Sequence, residues 1–167
     1  MLLIWCIHSA SAAAPFNVTH DSMYRAVPRI GENDVRSDIG LEMRSNGFRV
    51  FDILFEVSRC DSDDGGFCMI SRYLSFEMPR NACEPLKEWR RPGFHYQCTG
   101  LSKDFQLAGS AIGNVLAIVQ TSDAGRQRVF YYSRARGVVA MLLGEHYYVL
   151  QSPLGIGAAG QTLDREE

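Results

Sequence analysis

Four cysteines between positions 60 and 98 constrain the fold of this chain more than any other feature. Cys60 ends a run of β-branched and aromatic residues, Cys68 lies near the start of another, and Asp and Gly residues fill the interval. Such runs on either side of a turn-rich segment predict an antiparallel hairpin. We therefore expect a disulfide Cys60–Cys68, which leaves Cys83 to pair with Cys98. No metal site is predicted, because the spacings lack the close Cys-x-x-Cys pairs of structural zinc.

The predicted hairpin joins a strand over 48–59 to a strand over 67–78, which ends at Pro79. Facing cysteines set a register that aligns apolar and oppositely charged side chains. Its pairs are Ser58 with Ile70, Glu56 with Arg72, Leu54 with Leu74 and Val50 with Met78. The first strand is apolar on both faces, so we expect it to be central and covered on both sides.

The segment before this hairpin allows two interpretations. Asn46-Gly47 is a strong signal for a two-residue turn, which predicts a strand over 34–45 with Met43 opposite Val50. The alternative is a short helix over the same residues, with apolar side chains four residues apart. We favour the strand, because Gly40 weakens a helix.

Short strand patterns recur through the rest of the chain, over 94–98, 114–121, 127–134, 138–143 and 147–151. With about seven to eight such strands, we predict an all-β antiparallel barrel or sandwich. The Cys83–Cys98 disulfide would tether the proline-broken loop over 81–93. The domain is expected to span 13–151, and the Gly- and Ala-rich tail over 152–167 is expected to be disordered.

Residues 1–12 resemble a secretory leader, with a short apolar run followed by small residues and a cleavage pattern ending at Ala12. Cleavage there would remove Cys6 and leave an even number of cysteines, as exported disulfide-bonded domains have. We therefore predict a periplasmic or secreted protein. No later segment approaches the ~18 apolar residues of a spanning helix, so no transmembrane segment is expected after cleavage.

Charge and motifs argue against two classes of function. The chain has 17 basic and 19 acidic residues and a net charge of −2, which gives no broad positive field for a nucleic-acid partner. Residues 155–160 match the glycine spacing of dinucleotide-binding loops, but the residues around them predict neither the helix nor the βαβ unit that this motif needs. We therefore expect no cofactor.

Asp52 and His95 are the candidates for catalytic acid–base chemistry. In the predicted register Asp52 faces Phe76 among apolar neighbours, where a carboxyl group would have a raised pKa. The alternative is that Asp52 is solvated at a sheet edge or pairs with an arginine.

Two stretches mix arginines with aromatic residues and are the candidate binding residues. The first contains Trp89, Arg90 and Arg91 on the tethered loop, and the second contains Arg128, Tyr132 and Arg134, which would share one face of a strand. Exposed groups of this kind bind anions, glycans or proteins. The alternative is a solvated surface covered by extended arginine stems.

These observations favour a non-enzymatic binding or interaction module with a protein or glycan partner. One alternative is an extracytoplasmic hydrolase with Asp52 or His95 in the mouth of a barrel. The other is a structural component of an envelope assembly, joined through an exposed sheet edge.

Overall fold

The computed structural model describes residues 21–27, 40–44, 47–50, 52–60, 66–80, 82–83, 87–103, 105–107 and 110–158. The predicted leader over 1–12 and the last nine residues of the predicted tail lie outside this part of the chain. Within the 34–45 segment, the described residues are those from Gly40 to Arg44.

The all-β prediction is confirmed, since the described residues form antiparallel strands and no helix. They contain fifteen strands, more than the number predicted, because several predicted strands are divided. The strands are β1 (Ser22–Val27), β2 (Gly40–Arg44), β3 (Gly47–Val50), β4 (Ile53–Phe55), β5 (Val57–Arg59), β6 (Phe67–Ser71), β7 (Phe76–Met78), β8 (Glu88–Arg91), β9 (Phe94–Ser102), β10 (Phe105–Leu107), β11 (Ser110–Ile112), β12 (Val115–Ser122), β13 (Gln127–Ser133), β14 (Gly137–Leu143) and β15 (His146–Leu150).

One large sheet and one small sheet make up the body of the domain. The large sheet has ten strands in the order β4-β3-β2-β1-β15-β14-β13-β12-β9-β8, and β1 pairs with both β2 and β15. The small sheet has the order β5-β6-β7, and β10 and β11 form a separate ribbon. Within the described strands β4 and β8 do not pair with each other, so the large sheet is an open, sandwich-like layer rather than a closed barrel.

The core lies where β7 crosses the inner face of the large sheet. The Phe76 ring lies 4.6 Å from that of Phe130 and 6.3 Å from that of Tyr132, between ring centroids. Ile118 and Met141, which flank Phe130 on the neighbouring strands, are fully buried. Alternation along β12 and β13 directs these side chains inward, and their burial against β7 holds the two sheets together.

Both predicted disulfides are present. Cys60 and Cys68 have Cα atoms 5.2 Å apart, and those of Cys83 and Cys98 are 5.3 Å apart. The first closes the β5–β6 hairpin, in which Ser58 faces Ile70 as predicted. The second ties the segment after β7 to β9, so it connects the chain of the small sheet to the large sheet.

The prediction of one continuous strand over 48–59 is wrong, since these residues form β3, β4 and β5 in two different sheets. Val50 pairs with Ile53, and Leu54 faces Arg49 instead of Leu74. Met78 faces Phe67 instead of Val50, while Glu56 and Arg72 are exposed. The predicted central, doubly covered position is also wrong, because β4 is an edge strand of the large sheet and Ile53 and Leu54 are 59% and 48% exposed.

The strand interpretation of the segment before residue 46 is confirmed where it is described, because Gly40–Arg44 forms β2. Its register differs by two residues, with Met43 opposite Phe48 and Arg44 opposite Gly47. A shift of two keeps every side chain on its predicted face. The observed register also places Arg49 opposite Glu42, so no two arginines face each other on these strands.

The predicted disorder of the tail is wrong for residues 152–158, which pack against the start of β14. Gly155 N donates to Arg136 O at 2.7 Å, and Val138 N donates to Ile156 O at 2.8 Å. Ile156 is 1% exposed. The glycines of this segment therefore serve close chain packing, and the ordered domain extends at least to residue 158.

Candidate functional site

Four loops converge at one end of the sandwich. The antiparallel order of the large sheet brings together the turns β8–β9, β12–β13 and β14–β15. The segment between β6 and β7 joins them from the small sheet, and an open pocket of about 900 Å³ lies between these loops. We call it the arginine pocket and define it by the lining residues Arg72, Tyr73, Phe94, Arg126, Gln127 and Arg128.

The arginine pocket is positively charged in a protein of net charge −2. Its charged lining residues are three arginines, Arg72, Arg126 and Arg128, and one carboxylate, that of Asp123. Within the described part of the chain, no carboxylate forms an ion pair with any of the three guanidinium groups. This excess of positive charge would favour a bound anion.

Arg128 is the most enclosed of the three arginines. It is half-buried, and its Nη2 donates to Tyr73 O at 3.3 Å. Burial lowers the pKa of Arg128, and the neighbouring charge of Arg126 lowers it further. A bound anion would reduce both penalties, since it supplies the missing opposite charge.

Hydrogen bonds hold the rim of the pocket in place. Asp123 N donates to Gly93 O at 3.1 Å and joins two of the turns. Ser122 N donates to Arg126 O at 2.9 Å, and Arg126 N donates to Ser122 Oγ at 3.1 Å. A rim fixed in this way loses little conformational entropy when a ligand binds.

A polar row lies behind the pocket on the inner face of the large sheet. Trp89, Tyr96, Gln120 and Arg128 occupy facing positions on β8, β9, β12 and β13. The rings of Trp89 and Tyr96 stack at 5.2 Å, and Gln120 Nε2 donates to both Tyr96 Oη and Ser75 O at 2.8 Å. Because the Ser75 carbonyl can only accept, this contact fixes the orientation of the Gln120 amide.

The same region contains a buried ion pair and unpaired polar atoms. Arg91 Nη2 lies 2.7 Å from Glu77 Oε1, and the Glu77 side chain is 5% exposed. Three buried side-chain atoms of the described residues lack a hydrogen-bond partner, namely Glu77 Oε2, Trp89 Nε1 and Gln120 Oε1. Each such atom costs about 1–3 kcal/mol.

The predicted binding residues fall in different places. Arg128 lines the arginine pocket, Trp89 stacks behind it, and Arg91 pairs with Glu77. Arg90 is exposed on the opposite face of β8.

The other two members of the second stretch lie away from the pocket. Tyr132 is 7% exposed and donates to Gly157 O at 2.8 Å, so it belongs to the core. Arg134 is exposed in the turn after β13 and lines a smaller pocket of about 310 Å³. Arg128 and Tyr132 do share one face of β13, but that face points inward.

The two catalytic candidates are not brought together. Asp52 is exposed in the turn between β3 and β4, so the predicted contact with Phe76 is wrong. His95 Nε2 lies 3.1 Å from Glu88 Oε2 on the outer face of the β8–β9 hairpin. Neither residue lines the arginine pocket.

Sequence reasoning did not single out Arg72, Phe94 and Arg126 as a group. Phe94 and Arg126 lie next to the two predicted arginine and aromatic stretches, whereas Arg72 was assigned to Glu56 across the hairpin. The turn residues next to Phe94 and Arg126 did carry a signal that the two could lie close together. In an antiparallel sheet every second turn lies at the same end, so turns separated by one strand pair meet there.

Fold and site together define a disulfide-bonded, sandwich-like all-β domain with a basic pocket at one end. Comparison of the chain with protein-family models, curated proteins and solved structures finds no significant match. No described residue belongs to a helix long and apolar enough to cross a membrane. In the described ranges no group of three or more His, Cys, Asp or Glu side chains is placed to hold a metal ion.

Proposed function

We propose that this protein is a non-enzymatic binding module of the periplasm or the secreted space, and that the arginine pocket is its recognition surface. Two disulfides agree with an extracellular or otherwise oxidising compartment. The observation that carries the proposal is the convergence in one preformed pocket of three arginines that form no ion pair with any described carboxylate.

The pocket has the features of a binding site. Its volume of about 900 Å³ lies within the range of ligand sites, and it combines charged groups with the rings of Tyr73 and Phe94. Recognition through arginine and aromatic side chains is common at protein and glycan interfaces. The positions of Asp52 and His95 offer no comparable support for a hydrolase.

The test uses an array of glycans and peptides probed with the oxidised full chain and with the double variant Arg126→Gln/Arg128→Gln. The matched control is Arg25→Gln, which removes an exposed arginine from the outer face of β1. We expect the wild type and the control to retain the same ligands, and the double variant to lose them.

Two results would overturn this function. One is an array without retained ligands for the folded wild-type protein. The other is retention that survives in the double variant, because the recognition surface would then lie elsewhere. Near-ultraviolet circular dichroism of each variant verifies that the tertiary structure is intact.

A further inference from the structure

The chemistry of the arginine pocket points to one ligand class. Resting on the function proposed above, we infer that the pocket binds an acidic saccharide, with the carboxylate of a uronic acid held by Arg126 and Arg128. Such a ligand has three recognisable parts: an anionic group, hydroxyl groups and an apolar ring face. The pocket offers a counterpart to each of them.

The arginines provide the contact for the anionic group. Arg126 lies in the exposed turn before β13, and Arg128 lies two residues further along, at the start of that strand. Both line the pocket. A guanidinium group recognises a carboxylate through two parallel N–H donors. Arg72 approaches from the small sheet, so the positive charges lie on two sides of the pocket.

Neutral polar side chains provide contacts for hydroxyl groups. The exposed Gln127 amide carries both a donor and an acceptor, and the half-buried Ser122 also lines the pocket. Simple inorganic anions need only donors and would fill a small part of about 900 Å³. The size and the mixed lining therefore favour a sugar over a free phosphate or sulfate.

The aromatic rings provide the apolar surface. Phe94 is half-buried, and its ring lies 6.4 Å from that of Tyr96, which supports it from behind. Tyr73 is held from the other side by the rings of Phe48 and Phe55, at 5.8 and 5.3 Å. Supported rings at the wall of a polar pocket are suited to pack against the C–H face of a sugar.

An acidic peptide would carry the same charge, but the geometry favours it less. Extended peptides usually add main-chain hydrogen bonds along an open strand edge. The rim of the arginine pocket consists of turns whose main-chain groups pair with one another, as Asp123 N does with Gly93 O and Ser71 N with Leu74 O. Recognition there depends on side chains, which suits a saccharide.

The experiment is calorimetric titration of the oxidised full chain with oligogalacturonate. Its methyl ester, a glutamate oligopeptide and inorganic phosphate serve as comparison ligands. We expect binding of oligogalacturonate that weakens with added salt, and much weaker binding of the other three. Arg126→Gln and Arg128→Gln should each weaken it about 10-fold or more, since each removes a charge-assisted contact. Arg25→Gln should leave it unchanged.

Phe94→Leu tests the sugar ring separately from the charge. It keeps apolar volume but removes the flat ring, so we expect weaker binding of oligogalacturonate with an unchanged dependence on salt. Equal binding of the methyl ester would overturn the inference, as would a preference for the glutamate oligopeptide or for phosphate. If oligogalacturonate does not bind while the array still shows a pocket-dependent ligand, only the inference fails. An array without any ligand removes the proposed function as well.

Discussion

The Tyr24 hydroxyl joins three parts of the fold that are far apart in sequence. It donates to Val138 O at 2.8 Å and accepts from Ile156 N at 2.9 Å, while the ring is fully buried on β1. One oxygen atom thereby connects the first described strand, β14 and the C-terminal segment. Local sequence patterns do not show the two partners of this hydroxyl, because both lie more than a hundred residues further along the chain.

Tyr24→Phe keeps the ring and removes both hydrogen bonds. Because it leaves a buried carbonyl and a buried amide without this partner, we expect the free energy of unfolding to fall by about 1–3 kcal/mol. Urea denaturation measures the change. Tyr147→Phe is the control, since Tyr147 is half-buried and its hydroxyl forms no hydrogen bond with the described residues, and it should change stability by less than roughly 0.5 kcal/mol. Equal effects of both substitutions would contradict this role of Tyr24.

At the scale of elements, the β13–β14 turn depends on a close approach between two backbone segments. Gly137 has φ +74°, and a Cβ at this position would lie 2.5 Å from the carbonyl oxygens of Gly155 and Ile156. A side chain is therefore excluded by contact as well as by backbone conformation. The C-terminal segment can lie against β14 only because glycines, Gly137 and Gly155, occupy the point of closest approach.

Gly137→Ala should be more destabilising than Gly125→Ala. Gly125 has nearly the same φ, +75°, but a Cβ there would meet no described atom within 4 Å beyond its chain neighbours, so this control isolates the contact. We expect Gly125→Ala to lower the free energy of unfolding by about 1–2 kcal/mol, because Ala is strained in the left-handed conformation. Gly137→Ala should lower it by more. Hydrogen exchange of the Ile156 amide should accelerate in Gly137→Ala alone. Equal losses and unchanged exchange would show that the close approach is unimportant.

The observed sheets show which strands and pairings the sequence predicted correctly. The Cys60–Cys68 and Cys83–Cys98 disulfides, the β5–β6 hairpin and the strand character of β2 were predicted correctly. The division of residues 48–59 between two sheets was not. The alternation of apolar and polar residues identifies which side chains face the core. Which element packs over them depends on the rest of the chain.

At the scale of the whole molecule, buried phenols couple stability to alkaline pH. Burial raises the pKa of Tyr96 from about 10 to about 12, and it raises those of Tyr147 and Tyr148 to about 12 as well. It also raises the pKa of Tyr24 and of Tyr132. Tyr24, Tyr96, Tyr132 and Tyr148 lie in different parts of the core, and Tyr147 packs against it, so their effects belong to the domain as a unit.

The free energy of unfolding should be constant below pH 10 with respect to these tyrosines and should fall between pH 10 and 12. In that window the unfolded chain has lost phenolic protons that the folded chain still holds, so rising pH favours unfolding. Tyr96 alone contributes a slope of up to about 1.4 kcal/mol per pH unit. Denaturation at a series of pH values, with phenolate absorbance of the native protein, measures both quantities.

Tyr96→Phe provides the comparison for this pH dependence. Its stability should fall less steeply above pH 10, because one raised phenol is absent. Native tyrosines that all titrate near pH 10, or a free energy of unfolding that stays constant up to pH 12, would contradict the expected burial effect.

The amino-acid sequence by itself determined the local features of this protein. β-Branched and aromatic runs, turn residues and cysteine positions act over short distances along the chain, and they specified an all-β, disulfide-bonded domain. Arg128 was also identifiable as a candidate binding residue. These features follow from the preferences of neighbouring residues and need no knowledge of distant contacts.

The tertiary structure alone decided which residues form the arginine pocket. Arg72 comes from the segment between β6 and β7, and Phe94 is the first residue of β9. Arg126 lies in the turn before β13, and Arg128 lies at the start of that strand. It likewise decided that Tyr132 is core and that Asp52 is exposed. The physical reason is that long-range sheet order brings turns together and selects the inner face, and periodicity within one strand does not contain that order.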